Sequence, residues 1–223
     1  MVLRRAWISD DAFISVRVAY NWVHGYGLTH NPGERVQGFT NPLWVLLLGG
    51  VHLLVKNGYG VAMLTSLVVA LGGAIVFVRF VARDRLAAAL GLGAMALSNA
   101  YADFSTSGLE NPLSHLLLFA LFASYLRVVH VPPAVSRGVR ESGVRARVAF
   151  LSGSSPRRLA CLFAALLLLN RADTLLLVAP VLAHLAWRGP WRKALLDAVL
   201  GFAPLAAWAA FAFVYYGFLQ PNT

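Results

Sequence analysis

Charge, and acid above all, is what this chain of 223 residues has least of: Asp, Glu, Lys and Arg make up 13% of it, and only nine residues are acidic. Soluble domains carry about 25% charged residues. With 59% of its residues hydrophobic and a mean hydropathy of +0.67, the chain has too little polar surface to coat a water-soluble globule, and the bilayer is its expected solvent. Cysteine is almost missing. Cys161 stands alone in a Leu/Ala run, so an internal disulfide and a zinc-type Cys spacing are excluded and a buried, inert thiol is the expectation. The six histidines, His24, His30, His52, His115, His130 and His184, form neither an HExxH motif nor a facing pair, which argues against an imidazole metal centre. Walker, GxGxxG and GxSxG motifs are absent, Met1–Ser9 lacks the apolar core of a secretory signal, and no internal repeat of the kind that marks paired transporter halves is evident.

What is there is basic and unevenly placed. The formal charge is +10, and of 19 Lys and Arg residues three fall in 79–85, seven in 127–158 and three in 188–193. Bases confined to three short segments between apolar runs follow the positive-inside bias, not the stripe of a nucleic-acid binder, so no nucleic-acid partner is expected. The apolar runs predict an all-α, polytopic membrane helix bundle with about six spans, Gly60–Val81, Leu86–Ala102, Pro112–Val131, Leu159–Leu169, Thr174–Trp187 and Ala194–Val214. Pro42–Val55 is short against the roughly 20 residues of a crossing and reads as a re-entrant or interfacial helix. Residues 1–58 are then an extracytoplasmic loop with juxtamembrane amphipathic and interfacial helices, and residues 59–223 the transmembrane bundle, interrupted by a flexible basic cytoplasmic loop over 132–158. With the basic segments cytoplasmic, segments 1–41, 102–111, 170–173 and 215–223 share the opposite face, and they hold six of the nine acids: Asp10, Asp11, Glu34, Asp103, Glu110 and Asp173.

Those polar stretches admit two readings each. Ser9 can cap a helix over Asp10–Val23 with Asp10 and Asp11 in its first turn, Phe13, Val16, Tyr20 and Val23 forming its apolar face, and Asp10, Arg17 and Asn21 neighbours on another. Alternatively, a carboxylate of the pair is a general base at the membrane boundary, oriented by Arg17. Asn31-Pro32-Gly33 is a turn, Asn41-Pro42 reads as a cap and first residue of the interfacial helix, and Trp44 as an interface anchor. Glu34-Arg35 is either an exposed pair or a clamp on substrate. Ser107 and Glu110 have capping-box spacing, while Glu110 also stands at the mouth of the acidic face. Arg171 and Asp173 break an apolar stretch; they either pair with each other or present a guanidinium to a phosphate.

The order of these motifs carries more than any one of them. Trp7-Ile8-Ser9-Asp10-Asp11-Ala12-Phe13-Ile14, Arg17, Asn21, Gly25-Tyr26-Gly27-Leu28, Asn31-Pro32-Gly33-Glu34-Arg35-Val36 and Thr40-Asn41-Pro42-Leu43-Trp44 resemble the first extracytoplasmic loop of GT-C membrane glycosyltransferases, in particular the terminal arabinofuranosyltransferases of mycobacterial cell-wall arabinan. Phe104-Ser105-Thr106-Ser107-Gly108-Leu109-Glu110, Arg171-Ala172-Asp173 and Tyr215-Tyr216-Gly217-Phe218-Leu219-Gln220-Pro221-Asn222-Thr223 look like the later motifs of that family, in order. The resemblance implies a plasma-membrane enzyme that transfers a sugar, arabinofuranose as the specific case, from a polyprenyl-phosphate donor to a glycan acceptor on the outer face, with inversion. Asp10 and Asp11 stand at the position of the catalytic base; Arg17, Asn21, Glu34, Arg35, Glu110, Arg171 and Asp173 fall in the substrate-binding motifs. No cofactor is required, and the chemistry neither needs nor excludes a divalent cation. The family has a span before the acidic pair and continues past Pro-Asn-Thr, so the chain reads as an excerpt or truncated product, and Arg-Ala-Asp stands where Arg-Pro-Asp or Arg-Pro-Glu is usual. The competing classes are a transporter of lipid-linked sugar and an inactive remnant.

Overall fold

The structure, a computed structural model, describes residues 7–130, 155–188, 190–219 and 221. Every regular element among them is helical. Ten α-helices follow one another: α1 (Ala12–Val23), α2 (Pro42–His52), α3 (Gly58–Val76, prolonged by a π turn over Phe77–Val81), α4 (Arg85–Leu97), α5 (Asn99–Phe104), α6 (Asn111–His130), α7 (Pro156–Asn170), α8 (Leu175–Trp187, entered through a 3-10 turn over Ala172–Thr174), α9 (Trp191–Gly201) and α10 (Ala203–Tyr216). Most of the expected basic loop, residues 131–154, lies outside the described residues.

Local chemistry sets several of the boundaries. The Asn57 side chain accepts the N–H groups of Tyr59 and Gly60 at the start of α3, and Asp84 accepts that of Ala87 at the start of α4; each satisfies donors that a helix N-terminus otherwise leaves orphaned. Ser98 ends α4 and caps α5 by accepting from Tyr101 N–H at 3.2 Å, so the expected span Leu86–Ala102 is two helices. Pro204 sits in the first turn of α10, where it cannot donate back to the preceding turn, and α9 and α10 meet at a bend of 48°. Gly217, with φ of 80°, ends α10 in the left-handed conformation that glycine adopts without strain.

Two polar ends frame the bundle. At one, Arg158 pairs with Asp197 (3.2 Å), Arg157 donates to the Arg188 carbonyl, Arg188 donates to that of Val129, and Tyr125 bonds His184. At the other, Ser9 N–H donates to Ser107 O (2.9 Å), the Trp7 indole to Asp103 O (3.1 Å), Asn170 to Glu110 O (3.1 Å) and the Tyr216 hydroxyl to Leu28 O (2.6 Å). The four segments that the basic-residue pattern assigned to a common face therefore meet. Helices α6 and α7 run between the two ends in opposite directions, and close approach is built from small residues: a Cβ on Gly201 of α9 would lie 2.4 Å from that of Cys161 on α7, as expected where packing, not water, drives helix association. Cys161 is buried, as its Leu/Ala setting suggested.

Among the described residues, only Gly58–Val81 (24 residues) and Asn111–Val129 (19 residues) are long and apolar enough to cross a membrane, with the bent pair α9–α10 a third if it counts as one span. At 1.5 Å per residue the first two reach about 36 and 28 Å, the one exceeding and the other nearly matching a hydrocarbon core of roughly 30 Å. The structure thus supports two or three candidate spans of the six expected; α4 and α8 have 13 residues each.

Two local expectations are corrected. α1 begins at Ala12, not Asp10, and its buried positions are Ala12, Ser15, Val18, Ala19 and Asn21; Phe13 and Tyr20 are exposed. The face buried in the protein is the small-residue one, because α2 lies directly against α1. The Trp44 side chain is fully buried and its indole donates to Gly108 O at 2.9 Å, so it is a core residue of α2 and not an interface anchor.

Candidate functional site

The acidic face is organised around the loop 105–110. Gly108 has φ of +79°, and a Cβ there would meet Ala12 Cβ at 2.9 Å and Ala62 Cβ at 3.2 Å. Only glycine fits both the backbone conformation and the gap, and its absence of a side chain is what presses the start of α1 onto this loop. No side-chain cap bond holds the α1 N-terminus; Ser9 donates its own N–H to Ser107 instead. Asp10 and Asp11 are therefore exposed at the start of α1, above the loop. Asp11, in helical conformation, is one turn from Ser15 and shares its face.

From Ser15 a polar chain runs inward. Its hydroxyl and the Asn41 amide are in contact (3.3 and 3.2 Å), Asn41 donates to Glu110 Oε2 (2.9 Å), and Glu110 Oε1 lies 3.4 Å from Arg171 Nη1. Ser15 and Asn41 are 4% and 6% exposed, and buried polar groups of this kind are held by their partners. Asn170, fully buried, donates to Glu110 O and Ser114 Oγ, fixing the helix break to the start of α6. Glu110 does not close a capping box: Ser107 Oγ accepts from Leu109 N–H and donates to Phe104 O, and the Glu110 carboxylate faces the arginine.

Arg171 is the hub of this end. Nη1 donates to Asn111 Oδ1 (3.0 Å), while Nε and Nη2 donate to Asp173 Oδ1 and Oδ2 (3.1 and 2.6 Å). The hydrogen bonds from Arg171, with its charge, hold the Asp173 carboxyl below its ordinary range. The mutual ion pair at the break is thus present, extended to Glu110.

The remaining residues singled out by sequence divide. Arg17 donates to His30 O (3.0 Å), and Asn21 to Thr29 O (2.9 Å) and His30 O (3.0 Å). Both pin the following loop to α1, and neither contacts Asp10 or Asp11 in the structure as an orienting partner. Glu34 accepts from Asn31 (3.1 Å) and lines an open cavity of about 230 Å³ with Ile14, His30 and Val36. Arg35 lies over the Tyr215 ring, 5.5 Å from its centroid. Glu34 and Arg35 so turn to different partners. The sequence reading passed over Ser15, Asn111 and Asn170, and took Asn41 for a helix cap; Pro42 is indeed in the first turn of α2, but Asn41 makes no side-chain cap bond. Its place within the Thr40–Trp44 motif was the available signal.

A helical bundle with two or three candidate spans and one acid- and arginine-lined end defines the class: a membrane protein with a polar site at one end. Over 99% of its length the chain is similar to the terminal β-(1→2)-arabinofuranosyltransferase of Mycobacterium tuberculosis (32% identical over 238 residues), and over 98% to that of Corynebacterium glutamicum (29% over 227 residues). It spans about a third of the length of each, 35% and 33%. The resemblance read from the ordered motifs therefore holds along the whole chain. No family model and no solved structure matches.

Proposed function

We propose that this chain forms the acidic-loop part of a membrane glycosyltransferase of GT-C type, which moves a sugar from a polyprenyl-phosphate donor to a glycan acceptor at the extracytoplasmic face of the plasma membrane. Arabinofuranose is the specific sugar, after the activity for which the two relatives are named. The observation that supports the reading is that the segment carrying Asp10 and Asp11 docks through Ser9 on Ser107, at the end of the bundle where Glu110 meets Arg171 and is tied through Asn41 to Ser15 of α1. An inverting displacement needs a base and a phosphate-matching guanidinium in one site, on opposite sides of the anomeric carbon. The acceptor hydroxyl oxygen attacks the anomeric carbon, a carboxylate of the acidic pair takes its proton, and the bond to the phosphate oxygen breaks. The lipid phosphate leaves with the bonding electrons towards Arg171. A transporter of lipid-linked sugar would instead place its polar groups near the midplane.

The test uses membranes of the whole protein supplied with labelled polyprenyl-phosphate arabinose and acceptor. The double variant Asp10→Asn/Asp11→Asn should lose on the order of 10²–10⁴ in transfer rate. Undiminished transfer would remove the base from this loop and end the mechanism.

A further inference from the structure

We infer that Asp173 occupies an oxyanion seat on Arg171 and gives it up to a phosphate group, so that Asp173 sets how tightly the phosphate is held. This rests on the glycosyltransferase reading for its biological ligand, but the seat itself is read from geometry.

The two edges of the Arg171 guanidinium are treated differently. The inner corner, Nη1, is fixed by Asn111 Oδ1 at 3.0 Å and Glu110 Oε1 at 3.4 Å. Glu110 has a side chain only 13% exposed and is itself tied to Asn41. The outer edge, Nε and Nη2, is the fork that binds two oxygens of a carboxylate or phosphate side by side, and Asp173 fills it with both of its oxygens. The inner partners orient the arginine; the outer one only covers it. Asp173 lies two residues along in the 3-10 turn with its side chain 64% exposed. Water reaches this carboxylate and can take over its hydrogen bonds, so the outer partner can yield to a competing oxyanion.

Charge makes the exchange necessary. Arg171 contributes +1 against −1 from each of Glu110 and Asp173, so the cluster is already net negative, and a phosphate entering with Asp173 in place would be repelled. With the Asp173 carboxylate turned out to water, Arg171 and Glu110 balance and the outer fork is open. The ligand class is a phosphate oxyanion, whether carried on a lipid or free in solution.

The experiment measures protection of Arg171 from phenylglyoxal in the protein held in nanodiscs, read by mass spectrometry of the peptide that contains it. Inorganic phosphate and a short-chain prenyl phosphate are the two probes. The phosphate concentration that half-protects Arg171 should fall about three- to tenfold in Asp173→Asn, and similarly in Asp173→Ser, which guards against a fold defect in either variant. Protection by both probes would assign the seat to any phosphate; protection by the prenyl phosphate alone would assign it to the lipid headgroup. An unchanged or higher half-protecting concentration in both variants, or no protection by either probe, overturns the inference. A shift in protection without sugar transfer from any polyprenyl-phosphate donor would leave the seat standing and remove the glycosyltransferase reading.

Discussion

At the scale of single residues, Asn41 shows how a motif can be found and its function misassigned. A polar residue before proline is a helix cap on sequence grounds, and nothing local says otherwise. Its amide instead spans 26 residues to Ser15 and 69 to Glu110, contacts that exist only once the loops have met. Replacing it with leucine removes the donor to Glu110 and leaves the Ser15 hydroxyl, 4% exposed, with no partner for its buried polar atom. The expected cost is about 1–3 kcal/mol, seen as a lower thermal-unfolding midpoint in detergent. Adding Ser15→Ala to Asn41→Leu should cost nothing further, since the orphaned hydroxyl is then gone; a second full loss would show that the two side chains act independently. Arg171 and Asp173 were legible because charge inside an apolar stretch is conspicuous. Arg17 and Asn21 were legible as neighbours on one face, but their task, gripping the backbone of 29–30, depends on where the next loop folds back.

Elements were read best where apolar length decides, and worst where packing does. The long helices α3 and α6 emerged close to their expected bounds, whereas the packing of α2 on the small-residue face of α1 had no signal in the apolar pattern. That pairing is fixed at its far end by three rings: Tyr20 stacks on His24 (3.9 Å between centroids), and both meet His52 of α2 edge-on. His52 is 5% exposed, and burial, followed by the charge of His24, lowers its pKa below the ordinary 6.5. The sign follows from linkage. The unfolded chain takes the proton near pH 6.5 while the folded one resists it, so the stability His52 lends is fully present above that pH and is lost as the pH falls through the depressed folded value. Melting measured at pH 7.5 and 5.5 should therefore drop on acidification in the native protein, and drop less in His52→Gln. Equal drops would place the acid sensitivity elsewhere.

At the scale of the whole molecule, six of the nine acids lie at one end of the helical bundle and the described bases of the three clusters at the other, and this separation is what a membrane would read. Which end faces the cytoplasm is set by the bias towards retaining Lys and Arg on that side, and the chain places Arg79, Arg83, Arg85, Arg127, Arg157, Arg158, Arg188, Arg192 and Lys193 at or near the α3–α4, α6–α7 and α8–α9 connections. The sequence made this arrangement visible because charge counting needs no tertiary contact, while the bends at Ser98 and Phe202, which leave several helices shorter than a bilayer, arise from caps and a proline that composition does not weigh. The single native cysteine makes the arrangement directly measurable. With Cys161→Ser as background, cysteines introduced at Glu34 and Tyr26, both exposed at the acidic end, should react in intact cells with a membrane-impermeant maleimide. Cysteines at Arg83 and Arg192, exposed near the basic connections, should react only after the cells are opened. Labelling of all four in intact cells would mean that the described helices do not separate two compartments. The reverse pattern would put Asp10, Asp11 and Arg171 in the cytoplasm, where an acceptor glycan of the envelope is out of reach, and the proposed transfer would fail on geometry alone, whatever the chemistry of its residues.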